Sequence, residues 1–183
     1  MTSILKVSTI QDPTNSNTAM TIDSAGLVTL PNSVYISRFR LTSDWTTNAT
    51  ITAWGGYNRS KQVQTIGTAV TVSSGIFTFP VTGIWKVTVQ ARVLAQNGDS
   101  TVGFAIQATD NNSTYTDYSF ASEGHSTGVS TGSLFAEEFI NVDNVLNVKV
   151  LISGESIASG SQIYGTTSDT RTQVVFERIT DSQ

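Results

Sequence analysis

The side chains in this sequence that could do acid–base, nucleophilic or metal chemistry are few and scattered. The chain of 183 residues has no cysteine and a single histidine, His125, which stands in a segment rich in Gly and Ser. Glu137 and Glu138 are adjacent, so on a strand they point to opposite faces, whereas a glycosidase needs two carboxylates facing each other across a sugar. We therefore expect no enzymatic activity, no thiol chemistry and no disulfides.

One group of oxygen-bearing side chains suggests a metal site. Asp110 and Asp117 flank a predicted turn that also contains Asn111 and Asn112, and calcium prefers carboxylate and carbonyl oxygens as ligands. The spacing does not fit an EF-hand loop, and the same residue types are common in ordinary turns. Calcium is therefore the one cofactor that the sequence allows, with Asp110 and Asp117 as its candidate ligands.

Aromatic residues outside the predicted core are the other candidates for contact with a ligand. Trp54 precedes Gly55, Gly56 and Tyr57, which together predict a flexible aromatic loop. Aromatic faces of this kind can stack on sugars, and packing in the core is the alternative for both rings. Trp54 and Tyr57 are therefore the candidate residues for an exposed contact.

Composition narrows the class of protein and of partner. The net charge is −4 and the pI about 4.8, which argues against nucleic acid as the main partner because phosphate binding needs a basic face. No apolar run approaches the ~20 residues that span a bilayer, so no membrane partner is expected. Charged residues make up 13% of the chain, and Ser, Thr, Asn and Gly supply the remaining polarity, as in many all-β proteins.

Period-2 alternation of apolar and polar residues predicts the elements that position these side chains. The clearest case runs from Trp85 to Val93, where the odd-numbered residues are apolar and the even-numbered ones are polar. No segment keeps the apolar spacing of an amphipathic helix. About ten short strands are predicted, near residues 34–41, 49–54, 63–72, 76–79, 84–95, 101–108, 115–120, 133–142, 145–152 and 171–179. Such a pattern indicates an all-β sandwich, jelly roll or barrel.

A corner precedes the strand that begins at Trp85. Phe77 and Phe79 share one face of an extended segment, and Pro80 and Gly83 turn the chain. This Gly-aliphatic-Phe-x-x-Pro-x-x-Gly-x-aromatic pattern resembles the signature of the jelly-roll family that includes tumour necrosis factor (TNF) and the globular head of the first complement component. The resemblance covers roughly residues 34–180, and it implies a ten-strand jelly roll, a homotrimer and a binding or structural role without catalysis.

The closing strand, predicted near residues 171–179, indicates where the subunits of the expected trimer could meet. Val174 and Phe176 lie on one side of it, and Val175 and Ile179 on the other. A strand that is apolar on both faces is buried on both faces. One face meets the other sheet of a sandwich, and the second needs a loop or another subunit as its cover. We take Val174 and Phe176 as the candidate trimer interface.

The first residues differ from the rest and predict a separate arm. A short apolar strand and a turn-rich polar stretch are followed by a small hairpin with its turn at residues 23–26. We place the boundary after residue 32, with an N-terminal arm at 1–32 and the jelly roll at 33–183. A hairpin of this size is not stable alone, so the arm has to pack on the jelly roll, on its own copies or on another protein.

This opening resembles that of many short structural proteins of tailed phages, especially phages of aquatic bacteria, in which it often precedes a jelly roll of the same family. The resemblance implies a virion surface protein. An arm of about thirty residues spans at most ~100 Å, which suits an anchor and not a long shaft. We therefore expect a trimeric knob that decorates the capsid as a decoration protein or short head fibre, with Ile4, Leu5, Val7 and Ile10 as its anchor. A receptor-binding tail-fibre or tail-tip protein that contacts a host glycan or protein is the alternative. A cellular binding module like the complement head is the second alternative.

Overall fold

The computed structural model describes residues 9–11, 18–22, 24–25, 28–29, 34–57, 59–96, 98–124 and 128–183. The chain divides into two compact units, Met1–Ser33 and Val34–Gln183, next to the boundary predicted after residue 32. In the described residues all regular elements are β-strands. None of these residues forms a helix that is long and apolar enough to cross a membrane.

The first unit contains a small three-stranded sheet. Its strands are β1 (Thr9–Gln11), β2 (Thr18–Ile22) and β3 (Val28–Thr29), and they pair antiparallel in the order β1-β2-β3. The hairpin predicted from the sequence corresponds to β2 and β3. Of the predicted anchor residues, Ile10 lies on β1 and is exposed. The other three, Ile4, Leu5 and Val7, lie outside the described residues.

The second unit is a sandwich of two antiparallel sheets. Its strands are β4 (Ile36–Leu41), β5 (Trp54–Gly55), β6 (Thr65–Ile66), β7 (Thr71–Ser73), β8 (Ile76–Thr78), β9 (Gly83–Ala95), β10 (Val102–Thr109), β11 (Thr116–Glu123), β12 (Ser130–Val142), β13 (Lys149–Glu155), β14 (Gln162–Ile163) and β15 (Gln173–Thr180). The large sheet has the order β12-β9-β15-β4-β5, with β6 paired to β4 and β14 to β9. The small sheet has the order β11-β10-β13-β8-β7.

The alternation predicted between Trp85 and Val93 is confirmed. On β9 the odd-numbered side chains of this stretch are buried between the sheets, and the even-numbered ones point away from the core. β12 pairs with β9 along its whole length, from Ser130 opposite Ala95 to Val142 opposite Gly83. Because paired residues of neighbouring strands share a face, the same register decides which side chains of β12 point outward.

Aromatic rings fill the centre of the sandwich. Phe77, Phe79 and Trp85 are all buried, and the ring centroids of Phe79 and Trp85 lie 5.1 Å apart. The corner between them depends on Gly83, which has a φ of 150°. A Cβ at this position would lie 2.6 Å from the carbonyl oxygen of Thr180 on β15, so no other residue fits without moving the closing strand.

The trimer-interface prediction for Val174 and Phe176 is wrong. Both side chains are fully buried within a single chain, and the ring of Phe176 lies 4.8 Å from that of Phe77. They point between the two sheets, so they are not accessible to another subunit. The opposite parity of β15 faces outward instead, with Ile179 exposed and Val175 half-buried.

Candidate functional site

The outward-facing side chains of the large sheet form one patterned surface. The register of β12, β9, β15 and β4 aligns them in rows across the sheet. One end of this surface, the apolar half, surrounds Lys86 and Glu177 and comprises Ile36, Ile66, Ile84, Phe139, Val175 and Ile179. The other end, the arginine half, comprises Arg38, Arg40, Tyr57, Gln90, Arg92, Phe135, Arg171 and Gln173.

The apolar half leaves large side chains uncovered in the single chain. Phe139 and Ile179 are each 54% exposed. At its centre the Nζ atom of Lys86 lies 2.6 Å from Oε2 of Glu177 and 3.8 Å from Oε2 of Glu137. The hydrogen bond that Lys86 donates to Glu177 raises the pKa of Lys86. The central charges of this half therefore partner one another, and apolar surface remains around them.

The arginine half is built on a buried guanidinium. Arg40 is only 4% exposed, and it donates from Nε to the carbonyl oxygen of Gly56 at 2.8 Å and from Nη1 to that of Thr167 at 2.7 Å. Its neighbour Arg38 donates from Nη2 to Oε1 of Gln173 at 3.0 Å. Within the described part of the chain, neither arginine forms an ion pair with a carboxylate. Backbone carbonyls thus compensate the desolvation of Arg40.

The exposed contact predicted for Trp54 is wrong, because its ring is buried and lies 5.9 Å from that of Phe77. Tyr57 is half-buried. Its hydroxyl donates to Oε1 of Gln173 at 2.7 Å, and the guanidinium of Arg38 lies 4.8 Å from the centre of its ring. Burial raises the pKa of Tyr57, and the positive charge of Arg38 opposes this shift. Tyr57 is therefore part of the arginine half.

The two candidate calcium ligands have different surroundings. Asp110 is exposed in the turn after β10, whereas Oδ1 of Asp117 accepts a hydrogen bond from Nε2 of Gln107 at 2.7 Å. Oδ1 of Asn111 accepts four hydrogen bonds within its own turn. Among the described residues no group of three or more His, Cys, Asp or Glu side chains could hold a metal ion. Calcium binding stays a prediction.

The remaining candidates for chemistry do not form a site together. His125 lies outside the described residues. Glu137 faces outward beside Lys86, and Thr88 donates to its Oε2 at 3.3 Å. Glu138 has the opposite parity on β12, is half-buried and accepts a hydrogen bond from the next backbone N–H at 3.0 Å. The two adjacent glutamates thus point to opposite faces, as the alternation predicts.

Comparison with solved structures identifies the fold of most of the chain. Eiger TNF from S. frugiperda matches with a TM-score of 0.60 at 12% identity, over 82% of this chain and 95% of that chain. Murine APRIL at pH 8.5 matches with a TM-score of 0.55 at 11% identity, over 80% of this chain and 100% of that chain. No family model and no curated protein matches this chain. The predicted all-β, TNF-like jelly roll is confirmed.

Proposed function

We propose that this protein is a non-enzymatic structural protein of a tailed-phage particle, a homotrimeric knob that decorates the capsid surface. The observation that carries the proposal is the combination of a TNF-like jelly roll with a separate three-stranded unit before it in the chain. The jelly roll supplies the knob, and the three-stranded unit attaches it to the particle. The resemblance of the opening residues to phage structural proteins supports a location on the virion surface.

Three copies of the chain meet at the apolar half. The resemblance to the TNF and complement-head family implies a trimer, and burial of apolar surface is the dominant favourable contribution to most protein–protein associations. Phe139, Val175 and Ile179 supply such surface. Lys86 and Glu177 are already paired, so covering them leaves no ion without a partner. Phe139 lies on β12, an edge strand of the large sheet, and a neighbouring chain that covers this end of β12 also protects that part of the edge.

The three-stranded unit is the attachment element. Its strands are 3, 5 and 2 residues long, and a sheet of this size needs a partner to be stable. β1 and β3 are the edges of that sheet, and an edge strand can pair with a strand of another protein through backbone hydrogen bonds. Ile10 and the preceding Ile4, Leu5 and Val7 provide the apolar contacts in this proposal.

Deletion of residues 1–33 separates attachment from assembly. We expect the remaining chain to fold and to form the same trimer, because Val34–Gln183 has its own hydrophobic core. We expect it to lose its binding to particles. Analytical ultracentrifugation measures the trimer, and cosedimentation with phage particles that lack this protein measures attachment. The full-length chain, added to the same particles, is the control.

Two results contradict the proposal. A truncated chain that still decorates particles at normal density shows that residues 1–33 are not the attachment element. A full-length chain that stays monomeric at micromolar concentration excludes the trimer. Immuno-electron microscopy of intact particles separates the two virion locations, since label over the whole capsid indicates decoration and label confined to the tail indicates a tail-fibre or tail-tip protein.

A cellular TNF-like binding protein is the second candidate. The observation that favours it is the match to Eiger TNF and murine APRIL over nearly the whole of those chains. The two candidates differ in where the chain is found after infected cells are fractionated. A structural protein of the virion bands with particles in a density gradient, whereas a cellular binding protein is recovered only in the fractions without particles.

A further inference from the structure

A pocket lies at the end of the arginine half, between β9, β12 and the segment before β15. Its volume is about 320 Å³, and the side chains that line it include Gln90, Arg92, Ser133, Phe135 and Arg171. This volume is at the lower limit of small-ligand pockets, which span about 300–1,000 Å³. The pocket therefore fits one compact unit such as a single sugar ring.

Two arginines beside this pocket are held by the same aromatic ring. The guanidinium of Arg92 lies 5.7 Å from the ring centre of Tyr164, and that of Arg171 lies 5.5 Å from it. Cation–π contacts of this length restrict the position of a guanidinium and leave its N–H groups able to donate. The guanidinium of Arg92 has no hydrogen bond or ion pair in the described part of the chain, while Nε of Arg171 lies 3.5 Å from Oδ1 of Asp169.

The surroundings of the pocket are strongly cationic for a chain with a net charge of −4. Arg38 and Arg40 lie in the same half of the sheet, and Arg59 donates from Nη2 to the carbonyl oxygen of Ser168 at 3.0 Å. Five of the six arginines in the sequence thus gather around the segment that runs from residue 164 to 173.

Two carboxylates lie on or beside this segment. Asp169 partners Nε of Arg171. The other, Asp44, accepts hydrogen bonds from the backbone N–H of Gly165 and from Nε2 of Gln162. The cations of the arginine half therefore outnumber the acidic groups beside them, and the pocket is a favourable place for an anion.

We infer that this pocket binds a carboxylate-bearing sugar residue of a polysaccharide. Guanidinium groups match a carboxylate in shape and form two parallel hydrogen bonds with it. Oε1 of Gln90 already accepts from Gln173 at 2.6 Å, so its Nε2 and the hydroxyl of Ser133 can bond the hydroxyl groups of a sugar. Phe135, which is 57% exposed, offers an apolar face to the C–H groups of the ring. The inference stands on this geometry and does not depend on the proposed virion role.

A trisaccharide of galacturonic acid is the probe, titrated into the full-length protein by isothermal titration calorimetry at low and physiological salt. We expect saturable binding of this trisaccharide. The methyl-esterified trisaccharide has a similar shape without the negative charges, and we expect it to bind about tenfold more weakly. The reason is that losing a hydrogen bond to a charged group lowers the affinity by roughly this factor. Equal affinity for the ester overturns the inference. Inorganic phosphate or a single-stranded oligonucleotide that binds as tightly as the trisaccharide also overturns it.

The Arg92→Gln/Arg171→Gln double variant tests the assigned residues. We expect it to bind the trisaccharide at least about tenfold more weakly. The matched control is Lys61→Gln, set against the single variants Arg92→Gln and Arg171→Gln. It removes one charge from an exposed position outside the arginine half, and we expect its affinity to stay within about threefold of the wild type. A loss in Lys61→Gln equal to the loss in the single arginine variants means that only the overall charge matters and overturns the site.

A second variant that preserves the charge tests the same two residues if the double Gln variant does not fold. Arg92→Lys/Arg171→Lys retains both positive charges and loses the planar fork that bonds a carboxylate twice. We expect its affinity to fall by a few fold while circular dichroism shows the wild-type fold. An unchanged affinity shows that the fork makes no contact with the sugar and rejects the assignment.

Discussion

The apolar half and the arginine half share the same strands and the same face of the large sheet, yet they differ in how their cations are partnered. In the apolar half Lys86 is satisfied by Glu177 and Glu137, and exposed Phe139 lies in the same row. In the arginine half Arg40 is satisfied only by backbone carbonyls, and Arg92 has no carboxylate partner among the described residues. Another protein can cover the apolar half without leaving a buried charge unpaired, whereas the arginine half attracts anions.

We expect the largest effect from Arg40→Met, which tests whether a cation of the arginine half also stabilises the fold. The substitution removes the donors to the carbonyls of Gly56 and Thr167. Since a hydrogen bond from a charged group contributes about 1.5–3 kcal/mol, we expect the free energy of unfolding to fall by about 2–3 kcal/mol. Urea unfolding followed by tryptophan fluorescence measures it.

Arg38→Met is the matched control for that variant, because Arg38 is half-buried and bonds a neutral side chain. Its expected loss is about 1 kcal/mol or less. If both variants lose the same stability, the buried position of Arg40 has no special role in the fold.

Phe139→Asp tests whether copies of the chain meet at the apolar half. A charge placed in a covered apolar contact should weaken association by at least about 2 kcal/mol, or roughly 30-fold in the dissociation constant. We expect sedimentation equilibrium to show this shift, while the unfolding of the isolated chain stays within about 0.5 kcal/mol of the wild type.

Phe120→Asp provides the control for the association experiment. Phe120 lies on β11 of the small sheet and is 51% exposed, close to the 54% of Phe139. We expect it to leave association unchanged. An equal loss in both variants means that the trimer contact extends beyond the apolar half, and a loss in Phe120→Asp alone moves the contact to the small sheet.

The smallest effect is expected from Glu177→Gln, which tests the charge pairing at the centre of the apolar half. Glu177 raises the pKa of Lys86 above 10.5, so the pair stabilises the fold below that pH. This stabilisation is lost as the pH rises through the raised pKa of the folded protein. We expect the variant to be slightly less stable than the wild type at neutral pH and equally stable in strongly alkaline solution.

Lys86→Met provides the reference background for the same measurement. In this background the Glu177→Gln substitution should have no pH-dependent effect above neutrality, because the titrating partner is gone. If the effect of Glu177→Gln on stability still depends on pH in Lys86→Met, another group causes it. The pairing of Lys86 with Glu177 then does not distinguish the apolar half from the arginine half.

Much of the fold is predictable because alternation on β9 and the corner at Gly83 depend on local sequence alone. The errors arise where local sequence is ambiguous. Val174, Val175 and Phe176 are all apolar, so parity alone does not tell which of them faces the core. Leu146 fits the apolar parity of a strand predicted at residues 145–152, but the strand begins at Lys149, and Leu146 is exposed in a turn.

The candidate site was less predictable, since tertiary contacts create it. Trp54 stands before two glycines and predicts a loop, but β5 pairs with β4 and places the ring over Phe77. Arg40, Arg92 and Arg171 are far apart in the sequence, and only the chain between β14 and β15 brings them together. Alternation identifies Arg92 as an outward-facing residue. No local pattern shows that Arg92 and Arg171 contact the same ring, that of Tyr164.

The position of β15 has a consequence for how the protein is made. This strand comes after all the other strands of the described residues, yet it lies in the middle of the large sheet, between β4 and β9. While a ribosome is still synthesising the chain, β4 and the middle of β9 lack their shared partner and expose unpaired backbone groups. The sheet can close only after residues 173–180 have left the exit tunnel. The knob therefore closes late in its own synthesis, and the nascent chain is most vulnerable to aggregation before residues 173–180 have emerged.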